Sequence, residues 1–124
     1  MIEGEWRILA VDFGGETVPA RTGSLQILGS RFALQVSGTP REVGRIEHDP
    51  AATPATLDLV WHHPDGSEAR RLRAILRRRG ELLQLCYFPN ENTGRPSLFE
   101  SRATEATPPA ILVRCRLASP PASA

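Results

Sequence analysis

Apolar and polar residues alternate over short runs along most of this chain, and turn-forming residues interrupt the runs at short intervals. The cleanest run covers residues 31–37. There Phe32, Leu34 and Val36 fall on one face, and Arg31, Ala33 and Gln35 on the other. Leu57, Leu59 and Trp61 share a face in the same way. The pattern predicts strands over 5–13, 24–28, 31–37, 41–48, 55–62, 68–78, 81–88, 97–102 and 110–117. Loops are predicted over 16–23, 49–54 and 89–96, the last too rich in Pro, Asn and Gly for regular structure. Gly44, between Val43 and Ile46, predicts a bulge or a bend. The run 70–79 contains helix formers, but Gly66 and Gly80 at its ends and strand-like neighbours on both sides favour a strand. With Gly80-Glu81 as a tight turn, 69–88 reads as a hairpin.

Eight or nine short strands in succession make an all-β, up-and-down antiparallel sheet. A sheet of that width exposes two long edges unless it closes, so a barrel is expected, with a two-sheet sandwich as the alternative. The chain of 124 residues suits one domain over 1–118, followed by a disordered Pro/Ala/Ser tail over 119–124. The formal net charge of +1 argues against a general nucleic-acid or membrane-surface binder. All 15 basic residues are arginine, which fits a GC-rich genome. The N-terminal residues lack the basic and apolar regions of a secretory signal, so a cytoplasmic location is expected. Cys86 and Cys115 are then expected as reduced, buried thiols. No C-x-x-C or H-x-x-x-H spacing occurs, so neither a metal nor a cofactor is expected.

Gly4-Glu5-Trp6 matches the G-x-W that opens the first strand of lipocalin-like barrels. Further pieces follow in order: the Gly15…Val18-Pro19 loop, Gly29-Ser30-Arg31-Phe32, Gly44-Arg45-Ile46, His48-Asp49-Pro50 and Pro54…Leu57-Asp58-Leu59. The series continues with Gly80-Glu81-Leu82-Leu83-Gln84-Leu85-Cys86, Arg95-Pro96…Phe99 and Leu112-Val113-Arg114. Across residues 2–117 the chain resembles a family of uncharacterised bacterial domains, abundant in planctomycetes, with a lipocalin-like fold. That resemblance implies a barrel and no established activity. It also implies that Trp6 packs at the closed end against Arg114 or Arg116, as a structural cation–π pair. The family pattern has G-I-Y in the sixth strand where this chain has Ala74-Ile75-Leu76 after Arg73, a loss that would enlarge or reshape the interior.

Candidate chemistry is sparse. Six arginines fall between Arg70 and Arg79, readable as a phosphate or RNA surface or as a solvated strand face. The solvated face is favoured because aromatic residues for base stacking are not interleaved. One of Arg71, Arg73 or Arg77 would point inward. Arg73, on the face of Ile75, is the candidate to hold an anionic ligand group if that face is internal. Phe32, Trp61, Tyr87 and Phe99 either line a pocket or fill the core, and Leu83 and Leu85 accompany them. His62-His63 straddles both strand faces before a Pro-Asp-Gly turn, while Asp49-Pro50 suits a turn initiator. No G-x-S-x-G, phosphate loop or paired-carboxylate spacing is present, and the catalytic residues remain unknown.

Three functions are compatible with these residues. The first is binding of a small apolar or amphipathic ligand inside the barrel. The second is a biosynthetic cyclase or isomerase that uses the barrel as a shaped chamber. The third is a protein-interaction or accessory module. A cavity above about 300 Å³ would favour the first two.

Overall fold

A computed structural model of the chain describes residues 2–18 and 23–119. It contains β1 (Gly4–Phe13), β2 (Glu16–Val18), β3 (Gly23–Leu28), β4 (Arg31–Val36) and β5 (Glu42–Asp49). These are followed by β6 (Thr56–His62), β7 (Glu68–Arg79), β8 (Leu82–Tyr87) and β9 (Ile111–Ser119). A single 3₁₀ turn, Glu91–Thr93, interrupts the connection before β9. All pairings are antiparallel, and β1 also pairs with β9, which closes β1 and β3 to β9 into an eight-stranded barrel. β2 is extra. It pairs with the far half of β1, whose first half pairs with β3. Between Ile8 and Ala10 the register against β9 shifts, so Leu9 is an inserted residue and stands 46% exposed on the outer surface.

Turn chemistry explains where the strands end. Gly14 and Gly15 both adopt positive φ between the paired Phe13 and Glu16, a conformation that costs glycine nothing. Thus the loop expected over 16–23 begins as a short strand and ends at the start of β3, while residues 19–22 lie outside those described. Of the bulge or bend expected at Gly44, the bulge is not found, because β5 pairs without a register shift. A Cβ there would collide with the Val60 carbonyl oxygen and lie 2.6 Å from the Phe32 ring. The glycine therefore permits a close approach of backbone and ring.

The inward-facing residues form one apolar cluster that includes Trp6, Leu25, Ile27, Phe32, Ile46, Leu57, Leu59, Leu76 and Leu83. Each fully buried side chain of this size contributes about 1.5–3 kcal/mol. Trp6 is wholly buried, and its indole N–H donates to the Ile2 carbonyl at 2.8 Å. The cation over its ring is Arg78, with Cζ 5.0 Å from the ring centroid, rather than Arg114 or Arg116. Those two lie on the outer face, where Arg114 pairs with Asp12 and Arg116 approaches Glu81.

Residues 97–102 are not a strand. They belong to a long connection over 88–110 that crosses the outside of the barrel. Ser101 fastens it: its carbonyl accepts from the Gly14 and Ala110 amides at 3.1 and 3.0 Å, and its hydroxyl accepts from the Gly15 amide at 3.0 Å. Beneath the connection, Ile75, Cys86 and Ala110 form a second buried cluster with Phe88, Phe99 and Leu112. β7 and β8 are thus covered on both faces. β9 runs through Ser119, one residue into the expected tail, and residues 120–124 lie outside those described.

Two expected outcomes follow from this packing. Gly44→Ala should lower stability by about 1–3 kcal/mol, the cost of overpacking a filled site, as read from urea unfolding midpoints. An unchanged midpoint would show that β5 and Phe32 yield without cost. Cys86 and Cys115 are both buried, on opposite faces of the barrel wall, and burial raises the pKa of Cys86 and pushes that of Cys115 up to about 12. Native protein at neutral pH should therefore resist an aromatic disulfide reagent, and denatured protein should release both thiols. Rapid labelling of the native state would contradict the burial.

Candidate ligand-binding site

The inner face alternates as the strand period requires, with Leu57, Leu59 and Trp61 on β6, Leu72 and Ala74 on β7, and Leu85 and Tyr87 on β8. Together with Ile8, Leu25, Leu34 and Val113, among others, they surround a cavity of about 200 Å³. Trp6, Ile27, Ile46, Leu76 and Leu83 do not line it and fill the other end of the barrel. Ala74 forms a piece of the cavity wall. The volume does not reach the about 300 Å³ that would have favoured the ligand and reaction-chamber readings, but it exceeds the roughly 150 Å³ that holds benzene. It suits a compact molecule rather than an elongated one.

The polar groups gather at the half-buried end. Trp61 packs edge-on against Phe32, with ring centroids 5.1 Å apart. Its Nε1 is buried and has no hydrogen-bond partner among the described residues. A buried donor without a partner costs about 1–3 kcal/mol, so this one calls for an acceptor. Arg70 lies opposite Trp61 in the sheet register, with Cζ 4.8 Å from the ring centroid and Nε 3.4 Å from Glu91 Oε1. Burial raises the Tyr87 phenol pKa, and the charge of Arg70 pulls it the other way. Trp61, Tyr87 and Arg70 thus share one rim.

Of the residues read from the sequence, Trp61, Leu85 and Tyr87 line the cavity, while Phe32 and Leu83 are inward-facing core residues that do not line it. Arg73, Ile75 and Phe99 lie outside. Arg73 is exposed, 3.5 Å from the Glu91 carbonyl, and Ile75 and Phe99 pack under the 88–110 connection. The arginines on the inner face of β7 are Arg70, at the cavity rim, and Arg78, over Trp6 at the other end, because the inward residues between them are Leu72, Ala74 and Leu76. The apolar Ile75 pointed to the wrong face, since it is buried by the connection and not by the barrel. His62 lines an outer groove with Arg31, Arg41 and Arg45, and His63 is exposed in the β6–β7 turn. Asp49 initiates a turn as expected, its carboxylate accepting from the Ala51 amide at 3.0 Å.

Comparison with known proteins finds no family model, no curated protein and no solved structure that matches this chain. Among the described residues, no group of three or more His, Cys, Asp or Glu side chains is placed to hold a metal ion.

Behind the site, the outer faces of β5, β6 and β7 carry an ion network centred on Arg71. Its guanidinium reaches Glu47 at 2.7 Å, Asp58 at 2.8 Å and Glu68 at 2.7 Å. Asp58, 7% exposed, also lies 2.7 Å from Arg95 Nη2, and Arg95 Nη1 donates to the Ala74 carbonyl on the back of the cavity wall. This network ties the 88–110 connection to the strands that carry Trp61 and Arg70. Asp58 and Arg95 fall in the quoted sequence pieces, but no motif marks the residues as a network; register and the long connection bring them together.

Hydrogen bonds from Arg71 hold the Glu47 and Glu68 carboxyls below their ordinary value of 4.5. A carboxyl depressed in the folded state contributes stability above its unfolded pKa, and loses it as the pH falls through the folded value. Arg71→Met should therefore destabilise the protein near neutral pH by about 1.5–3 kcal/mol, chiefly through the hydrogen bond lost to the buried Asp58. The gap from wild type should narrow as the pH falls below 4.5. A gap independent of pH, measured by urea unfolding, would assign the effect to packing of the arginine stem.

Proposed function

We propose that this protein binds a compact, amphipathic small molecule inside its barrel. The apolar body of the ligand would occupy the cavity, and an acceptor group would meet the Trp61 indole N–H at the rim, with Arg70 and the Tyr87 hydroxyl beside it. The buried, unpartnered Trp61 Nε1 on the wall of an apolar cavity is the observation that carries this reading. It is the arrangement expected of a ligand pocket, mostly apolar with a few placed polar groups. The resemblance to lipocalin-like domains points the same way. Binding is favoured over catalysis because the titratable groups on the wall are Tyr87 and Cys115, and burial raises the pKa of both. Neither is a ready base at neutral pH.

Saturation-transfer NMR and calorimetry with ethylbenzene and phenylacetate test the reading. Both probes should bind, while a long-chain fatty acid of the same charge should not fit. Leu72→Phe, which adds bulk to the cavity wall, should abolish binding of both and leave the circular dichroism spectrum unchanged. Trp61→Phe removes the N–H and keeps most of the shape. It should weaken phenylacetate by about 1.5–3 kcal/mol, the range for a hydrogen bond to a charged group, and spare ethylbenzene. Failure of every probe to saturate would remove the proposal.

A further inference from the structure

The outer face on the far side of the barrel carries a second feature, separate from the cavity. Strand register sets the side chains out in two rows. One is Arg77, Gln84 and Arg114 across β7, β8 and β9, and the other is Arg79, Leu82, Arg116 and Arg7 across β7, β8, β9 and β1. Strands are about 4.8 Å apart and successive same-face residues about 6.7 Å apart. The Cα atoms of Arg77, Arg79, Arg114 and Arg116 therefore mark a rectangle of about 10 by 7 Å, within reach of one another's guanidinium groups. All four line one open groove of about 420 Å³, whose floor includes the exposed Leu9 and Leu82.

Acidic side chains do not balance this face. Arg114 Nη2 holds both oxygens of Asp12, at 2.9 and 2.7 Å, yet its Nε is buried without a hydrogen-bond partner among the described residues. Arg116 stands 3.7 Å from Glu81, with both side chains more than half exposed. Arg77 donates to Gln84 and lies over the Phe99 ring at 4.3 Å. Neither Arg7 nor Arg79 has an ion-pair partner among the described residues, and Arg7 lies directly opposite Arg116. Like charges placed opposite one another on a sheet face are destabilising. The bare face thus stores repulsion that an anion of several charges would relieve, and arginine forks match phosphate oxygens in bidentate geometry.

We propose that this groove is an anion site for a diphosphate group, gripped by Arg79 and Arg116 on one side and Arg77 and Arg114 on the other. A diphosphate supplies charge on two linked centres, one for each pair of arginines, which a single phosphate does not. The apolar floor at Leu9 and Leu82 accommodates whatever organic portion the diphosphate carries.

Calorimetric titration of the full chain with inorganic pyrophosphate, with sulfate as the single-centre control, is the test. Pyrophosphate should bind saturably with one-to-one stoichiometry, more tightly than sulfate, and more weakly as salt is added. The double variant Arg79→Gln/Arg116→Gln should lose about tenfold or more in affinity. The double variant Arg31→Gln/Arg41→Gln, on the other arginine-lined groove, should keep wild-type affinity. Equal loss in both variants would reduce the effect to overall charge and overturn the site, as would the lack of saturable pyrophosphate binding. Binding of a single-stranded oligonucleotide that pyrophosphate does not displace would overturn it in favour of a nucleic-acid surface. All four side chains are on the surface, and circular dichroism of each variant confirms the fold.

Discussion

Closure of the sheet through β1 is the constraint on which the rest of this structure depends. β1 must pair with β9 along its length and, on its other side, with β3 and then β2. It does so by inserting Leu9, which increases the local twist and turns the strand from one partner to the next. Closure leaves the eight barrel strands no free edge, and a ring of eight strands admits either a packed interior or space for one small ligand. Here the interior is divided. Trp6 and its aliphatic neighbours fill one end, and about 200 Å³ remains at the other.

The barrel wall is unusually well covered from outside. The 88–110 connection lays Phe88, Phe99 and Ala110 over Ile75 and Cys86, so two strands are apolar on both faces. Buried strands of that kind lose the alternation that normally separates inside from outside. The connection is held at two points by different means. Backbone hydrogen bonds to Ser101 fix one part to the β1–β2 turn, and the Asp58–Arg95 contact fixes another to β6. Asp58 tolerates burial because two guanidinium groups face its two carboxylate oxygens.

Charge on this protein is local rather than global. A net charge of +1 hides two arginine-rich grooves on opposite parts of the outer surface and an ion network between them. In the network around Arg71 each cation has carboxylates within reach, whereas on the face of β7, β8, β9 and β1 the arginines outnumber them. The same residue type is therefore a structural fastener in one place and an unneutralised surface in another. The difference lies in which acidic residues the register sets opposite.

Much of the fold was legible in the order of residues. Gly14-Gly15, Gly29-Ser30 and Gly80-Glu81 mark turns because glycine alone enters positive φ freely, and Phe32, Leu34 and Val36 alternate because a strand has period two. Eight of the nine expected strands formed within a few residues of their predicted limits, and the ninth, over 97–102, did not. Its residues cross the outside of the barrel instead, where Ser101 is buried and Phe99 half-buried while Leu98 stays 70% exposed. The site was legible only in part. Trp61, Leu85 and Tyr87 follow from alternation, but the parity of β7 did not, because Ile75 is covered from outside and Ala74 from inside. Sequence alone determined the strands, their turns and the all-β class, which depend on neighbours along the chain. Only the tertiary structure decided which face of β7 looks inward, which arginine guards the cavity, and which arginines stand together, because those depend on residues brought close by closure and by the long connection.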